Sequence, residues 1–323
     1  MSHSALVTAT PDVRGVVRAP ASKIAPPLIT LWLIWGSTYL GIAMVIQSMP
    51  SLLPNGMRFL AAALILIPIV VARYGISALR VTAAQLRASI TMGLMLLTAG
   101  IGMISLAERY VPSGVAALIV SAMPLWIILF RLKAGDRPSR LTIVGVAVGL
   151  LGLMIMLLPG GTEPVAGSDA DVALWSLGIT ATAFLWALFS WRSSRYDLPK
   201  NPLTTTVYEL LTAGVALSVI GLVIGERIDF ASVTRISWFG WGFLVLASVL
   251  AYTAYVWLLG NAPMSLVSTY AYVNPVVAVF LGWLIIREPI TTDVIIGLSI
   301  VVGGVVLVVS GERQRDLVPE EHA

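Results

Sequence analysis

Apolar runs close to twenty residues long recur ten times along this chain, and that recurrence limits its fold more than any motif does. They cover 28–47, 54–72, 88–107, 111–130, 141–158, 173–191, 203–224, 238–259, 263–286 and 294–310. Twenty residues rising about 1.5 Å each span the ~30 Å hydrocarbon core of a bilayer. Lipid offers backbone N–H and C=O groups no partner, so each run is expected to be helical. The predicted fold class is all-α: a polytopic membrane protein of ten transmembrane helices. With 58% hydrophobic and 11% charged residues, the chain lacks the polar surface a soluble globule needs. That excludes a cytosolic enzyme, a disordered protein and a disulfide scaffold. The first run, which begins at Pro26–Pro27, reads as a retained signal-anchor.

Absent residue types narrow the chemistry. There is no cysteine, and the two histidines, His3 and His322, lie in the polar ends. Thiolate sites, haem ligation and Ser-His catalysis are therefore not expected, and neither is a metal or a cofactor. The sequence pI near 9.5 would suit nucleic acid as a partner. The placement of the basic residues points to topology instead. Threading ten spans from an inside N-terminus puts fifteen Lys and Arg inside and four outside: Arg109, Arg227, Arg235 and Arg287. This positive-inside bias predicts that both termini are cytoplasmic in a multi-pass inner-membrane protein. The expected partners are the lipid bilayer and a small-molecule substrate, with no nucleic acid. The expected state is a monomer, with a dimer as the alternative.

Displacing the chain by 151 residues against itself superposes Pro112, Pro124 and Pro138 on Pro263, Pro275 and Pro289 without a gap. The same offset places Trp35 on Trp186, Gly152 on Gly303 and Arg58 on Glu209. The chain is read as two repeats of five helices, an odd number, so the halves enter the membrane in opposite senses. Secondary transporters are commonly built from such inverted five-plus-five repeats, with the substrate site between them. The organisation expected is a tail at 1–26, a first repeat at 27–158, an acidic Gly/Pro-rich external linker at 159–172, a second repeat at 173–310 and a tail at 311–323. Pro124 and Pro275 each remove a backbone donor near mid-span and are candidate hinges.

The segments IWGSTYLGI (34–42), NGMRFLAAALIL (55–66), AERYVPSGVAALIVSAMPLW (107–126) and STYAYVNPVVAVFLGWLIIREPIT (268–291) resemble the EamA branch of the drug/metabolite transporter superfamily, in particular its YedA-like inner-membrane members. The resemblance covers about residues 27–312. It implies ten helices, cytoplasmic termini, a central cavity, and export of amino acids or other small metabolites. It also matches spans 5 and 10 to the dimer helix of the small multidrug antiporters. Gly145, Gly149, Gly152, Gly297, Gly303 and Gly304 there read as packing glycines. The carboxylate those antiporters carry on their first helix has no counterpart in span 1 or span 6.

Two charges fall inside spans, where each needs a reason. Arg58 is expected in the outer third, with Glu108 as its candidate ion-pair partner. Glu209 is expected in the inner third with no basic residue in reach. A carboxylate held away from water favours its protonated form, which makes Glu209 the candidate for proton coupling. Trp35, Thr38, Tyr39, Trp186, Tyr252, Tyr255, Tyr270, Tyr272 and Asn274 lie within spans. Belts of Trp and Tyr belong at membrane interfaces, so mid-span aromatics are expected to face protein or a cavity. With Arg58 and Glu209 they form the candidate substrate cavity, suited to an amphipathic or zwitterionic metabolite. The reading is a secondary exporter of small metabolites working by alternating access. Its alternatives are a membrane-embedded enzyme and a facilitative, channel-like uniporter.

Overall fold

A computed structural model of the chain describes residues 19–111, 116, 119–136, 138–157, 166–281, 284 and 292–317. Pro112, Glu163, Arg287, Pro289, residues 1–18 and residues 318–323 lie outside the described residues, as does the Tyr39 side chain. All regular structure that is described is helical. The helices are α1 (Ala21–Val45), α2 (Leu53–Tyr74), α3 (Ala83–Ala107), α4 (Met123–Lys133), α5 (Arg140–Leu157), α6 (Asp169–Arg192), α7 (Pro202–Val223), α8 (Arg235–Asn261), α9 (Tyr270–Leu281) and α10 (Thr292–Leu317). Six of them, α2, α3, α6, α7, α8 and α10, are long and apolar enough to cross a membrane.

Several helices outrun the apolar runs that predict them, because polar caps carry them past the apolar stretch. Ser168 and Asp171 form a reciprocal capping box that starts α6 at Asp169, inside the stretch expected to be linker. Thr82 and Gln85 do the same for α3. The Asn201 side chain accepts from the N–H of Leu203 at 3.0 Å, with Pro202 in the first turn of α7. At the other end of the chain, α10 runs to Leu317, so part of the expected tail is helix.

The halves interlock. α2 crosses α7 antiparallel: Gly214 faces Leu60, and Gly221 faces Leu53. α5 crosses α10 antiparallel with the backbones in contact. A Cβ at Gly145 would lie 2.7 Å from Gly304 O and Val308 N, and one at Gly152 would lie 2.7 Å from Val301 N. Gly303 was expected in this contact, but nothing lies within 4 Å of its added Cβ. Gly304, one residue on, turns toward α5 in its place. α1 packs on α8 and α9, with Gly41 against Leu244 and Gly36 against Val277, whereas α6 packs on α3 and α4. Each half thus lends its first helix to the other.

Two helices carry π-helical segments, Gly93–Ile101 in α3 and Ser248–Tyr252 in α8. The 151-residue offset lays 248–252 on 97–101. The proline hinges are less symmetric. Pro124 opens α4 just after the turn residue Ala122, while Pro275 lies inside α9, and the break on that side falls at Ser268–Thr269.

Candidate substrate cavity

The bundle has two distinguishable ends. At one, here called the near end, the N–H of Ala19 donates to Asn261 O at 3.0 Å and Arg131 meets Glu312. At the other, the far end, the α1–α2 connection lies beside the α7–α8 loop. There Glu226 accepts from the N–H groups of Ser51, Leu52 and Leu53 at 2.8–3.1 Å and from Arg109 at 3.3 Å. One carboxylate thus satisfies the amides that α2 leaves open at its start.

Between the ends lies a cavity of about 140 Å³. Both halves wall it. Trp35, Thr38, Arg58, Phe59, Ile101, Glu108 and Met123 come from the first; Thr182, Trp186, Ser248, Tyr252, Tyr270 and Asn274 come from the second. Both π segments contribute, through Leu97, Gly100 and Ile101 and through Ser248 and Tyr252. A π turn exposes carbonyls that an α turn would occupy, and such segments recur at functional sites. Toward the far end the cavity meets a smaller cleft lined by Pro50, Ser51, Asn55 and Trp241; Ile42, Arg58 and Glu108 line both.

Toward the near end the cavity is floored by rings. Trp35 meets its repeat counterpart Trp186 edge-on, with centroids 6.0 Å apart, and meets Tyr255 at 5.1 Å and Tyr270 at 4.8 Å. The Trp186 indole N–H donates to the Tyr255 hydroxyl at 2.8 Å, and Ser190 shares a hydrogen bond with the same hydroxyl. Ser121 donates to Ala271 O at 2.8 Å and ties the segment before α4 to α9. Beneath the floor, the Tyr252 hydroxyl donates to Glu209 Oε2 at 2.8 Å. Tyr252 lines the cavity, whereas Glu209 lines a vestibule of about 270 Å³ at the near end, with Lys200, Thr205 and Asn261. A single hydrogen bond joins the two spaces.

Of the cavity residues expected from sequence, Trp35, Thr38, Arg58, Trp186, Tyr252, Tyr270 and Asn274 line it. The Asn274 amide, with its nitrogen toward the carbonyls, donates to Tyr270 O at 3.1 Å and Trp32 O at 3.3 Å. Tyr255 lies behind the floor and Glu209 beneath it. Tyr272 is fully buried elsewhere: it packs on Gly149 and its hydroxyl donates to Val146 O at 3.3 Å, so it anchors α9 on α5. Arg58 and Glu108 face the same cavity as expected, but the direct pair is not made. The ion pairs among the described residues are Arg109–Glu226, Arg131–Asp136 and Arg131–Glu312. Arg58 is 6% exposed, its guanidinium carbon sits 4.7 Å from the Phe59 ring centroid, and its Nε has no acceptor.

Sequence reasoning missed the near-end network. The apolar runs leave Arg131 in a connection and Glu312 in the C-terminal tail. Both are buried, paired at 2.8 Å, and joined by Asp136 at 2.9 Å, by Ser265, and by Thr142 at 3.1 Å. No local pattern marks Glu312, because its partners, Arg131 and Thr142, come from α4 and α5. Ser190 was findable: it lies one turn beyond Trp186 on the same face of α6.

The EamA-like transporter family matches the chain twice, over residues 27–158 and 173–310. The chain is 36% identical over 288 residues to the inner membrane transporter YedA of Escherichia coli (strain K12), covering 88% of this chain and 90% of that protein. It is 23% identical to the transporter YoaV of Bacillus subtilis (strain 168), covering 88% and 95%. A crystal structure 19% identical in sequence superposes with a TM-score of 0.77, covering 91% of this chain and 100% of that one, and so shares the fold. A cavity walled by two interlocked halves, apolar helices throughout and the double family match agree: the chain is a membrane transporter that belongs to the EamA-like family of the drug/metabolite transporter superfamily.

Proposed function

We propose that the chain exports small metabolites, amino acids or related amphipathic compounds, across the inner membrane by alternating access. On this reading it has ten spans arranged as an inverted five-plus-five repeat, it acts as a monomer, and its near end is cytoplasmic. The observation that carries the reading is the cavity's one-sided closure. It continues into the far cleft, while packed rings from both halves, Trp186 and Tyr255 among them hydrogen-bonded to each other, close it toward the near end. Antiparallel crossing of the repeat-related pairs α2–α7 and α5–α10, and the Trp35–Trp186 contact, support an inverted repeat. The opposite state then has the floor open and the far cleft shut. Basic residues concentrated on one side support the orientation.

Glu209 is the proposed proton carrier. It is buried, lines the near vestibule, and hydrogen-bonds the tyrosine that floors the cavity, so protonation there is linked to the floor. The test is counterflow in proteoliposomes, with substrates chosen from a metabolite-sensitivity screen of overexpressing cells. A carrier shows trans-stimulation of labelled substrate. Flux that is indifferent to substrate on the other side would sink the reading. A reporter joined after Ala323 and active only in the periplasm would reverse the orientation.

A further inference from the structure

Arg58 and its repeat counterpart Glu209 occupy the same register on α2 and α7, yet their surroundings differ. Glu209 is satisfied by the Tyr252 hydroxyl at 2.8 Å. Arg58 is as deeply placed, but no carboxylate among the described residues stands within 4.0 Å of it, and its Nε is sealed from solvent without an acceptor. The Phe59 ring covers one side of the guanidinium. The cavity and the far cleft both border it, and half-buried Glu108 borders the same two spaces. A solute moving between cleft and cavity passes these two charges.

A guanidinium held this deep without an anion costs several kcal/mol, and intramembrane charges that persist at such cost serve a function. Its planar fork of N–H groups matches the two oxygens of a carboxylate, which it can bind through two parallel hydrogen bonds. Resting on the reading of this cavity as the transport route, we propose that Arg58 is its anion anchor. It takes a carboxylate of the transported compound. Glu108 accepts an amine where the compound carries one, and the ring wall of Trp35, Trp186 and Tyr270 receives the apolar body.

The test uses the full chain in lipid nanodiscs. Trp35 and Trp186 lie in the wall, so tryptophan emission reports binding. The probes are 3-phenylpropionate, with a carboxylate alone; phenethylamine, with an amine alone; and phenylalanine, with both. The parent is expected to bind 3-phenylpropionate more tightly than phenethylamine, and phenylalanine more tightly than either. Arg58→Gln is expected to weaken both carboxylate probes about tenfold to a hundredfold, the range for a hydrogen-bonded charge, and to leave phenethylamine within about twofold. Glu108→Gln is expected to weaken the two amine probes and spare 3-phenylpropionate. If Arg58→Gln does not fold, Arg58→Lys serves: it keeps the charge, loses the fork, and is expected to bind carboxylates with intermediate strength. Carboxylate binding unchanged in either Arg58 variant overturns the proposal, and so does a parent with no preference for a carboxylate. The transport reading fails separately: Arg58-dependent binding without counterflow of labelled phenylalanine removes the route and leaves the anchor.

Discussion

The near end of the bundle and the far part of its cavity handle buried charge in opposite ways. At the near end Arg131 is matched by Asp136 and Glu312, and Glu209 by Tyr252. At the far end of the cavity Arg58 and Glu108 share a space without a contact. Both ends carry arginine and glutamate within helices or at their ends, so the difference lies in partners and not in composition. It teaches that an intramembrane charge has to be read with its neighbours. An ion pair such as Arg131 with Glu312 ties helices together, and on the proposed reading an unpaired group such as Arg58 is left for the transported compound.

The sharpest way to break this comparison is to delete one arginine from each end. Arg131→Ala leaves Glu312 buried and unpaired and should cost about 3–5 kcal/mol, read as a lowered thermal midpoint in detergent. Arg58→Met removes a charge that has no partner, so the midpoint should hold or rise. Equal losses would erase the distinction between the ends. Next in size is Gly145→Leu, which forces a side chain into the backbone contact of α5 with α10; about 1–3 kcal/mol is expected from overpacking. Gly303→Leu, on the open side of α10, should change little and serves as its control.

Glu209→Gln comes third. The amide oxygen still accepts from Tyr252, so stability should fall by only about 1 kcal/mol. Counterflow should survive while dependence on an imposed pH gradient disappears. A variant that follows the gradient as the parent does would leave Glu209 as a structural group. The smallest effect is expected from Trp186→Phe, which keeps the ring but loses the N–H bond to Tyr255, about 0.5–1.5 kcal/mol. The chain has no cysteine, so a single cysteine at Thr38 reports the floor. Its labelling from the near side should rise in the Trp186→Phe background.

The apolar runs made the helical architecture legible, because length and hydropathy suffice to mark a helix in lipid. Helix ends were less so: capping by Ser168 and Thr82 is decided within one turn, beyond the apolar stretch. The 151-residue offset places Trp35 on Trp186, but the edge-on contact of the two rings is a tertiary fact that the offset does not contain. It did not separate Tyr270, which lines the cavity, from Tyr272, which is buried against α5, because periodicity gives a face and not the neighbour that face meets. Glu312 was hidden for the same reason, since its partners are remote in sequence.

The cap on α2 has an electrostatic consequence. An uncapped helix start carries roughly half a positive charge, which would add to any attraction for anions at the far mouth. Here the Glu226 carboxylate more than offsets that half-charge, and with Arg109 the three sum to about half a positive charge, where the helix start and Arg109 alone would give about one and a half. The cap thereby removes a full unit of positive charge from the rim, and Arg58 is the buried guanidinium that both cavity and far cleft border. Glu226→Gln would restore that charge to the mouth, so anions would gather at the rim as well as at the residue placed to hold them.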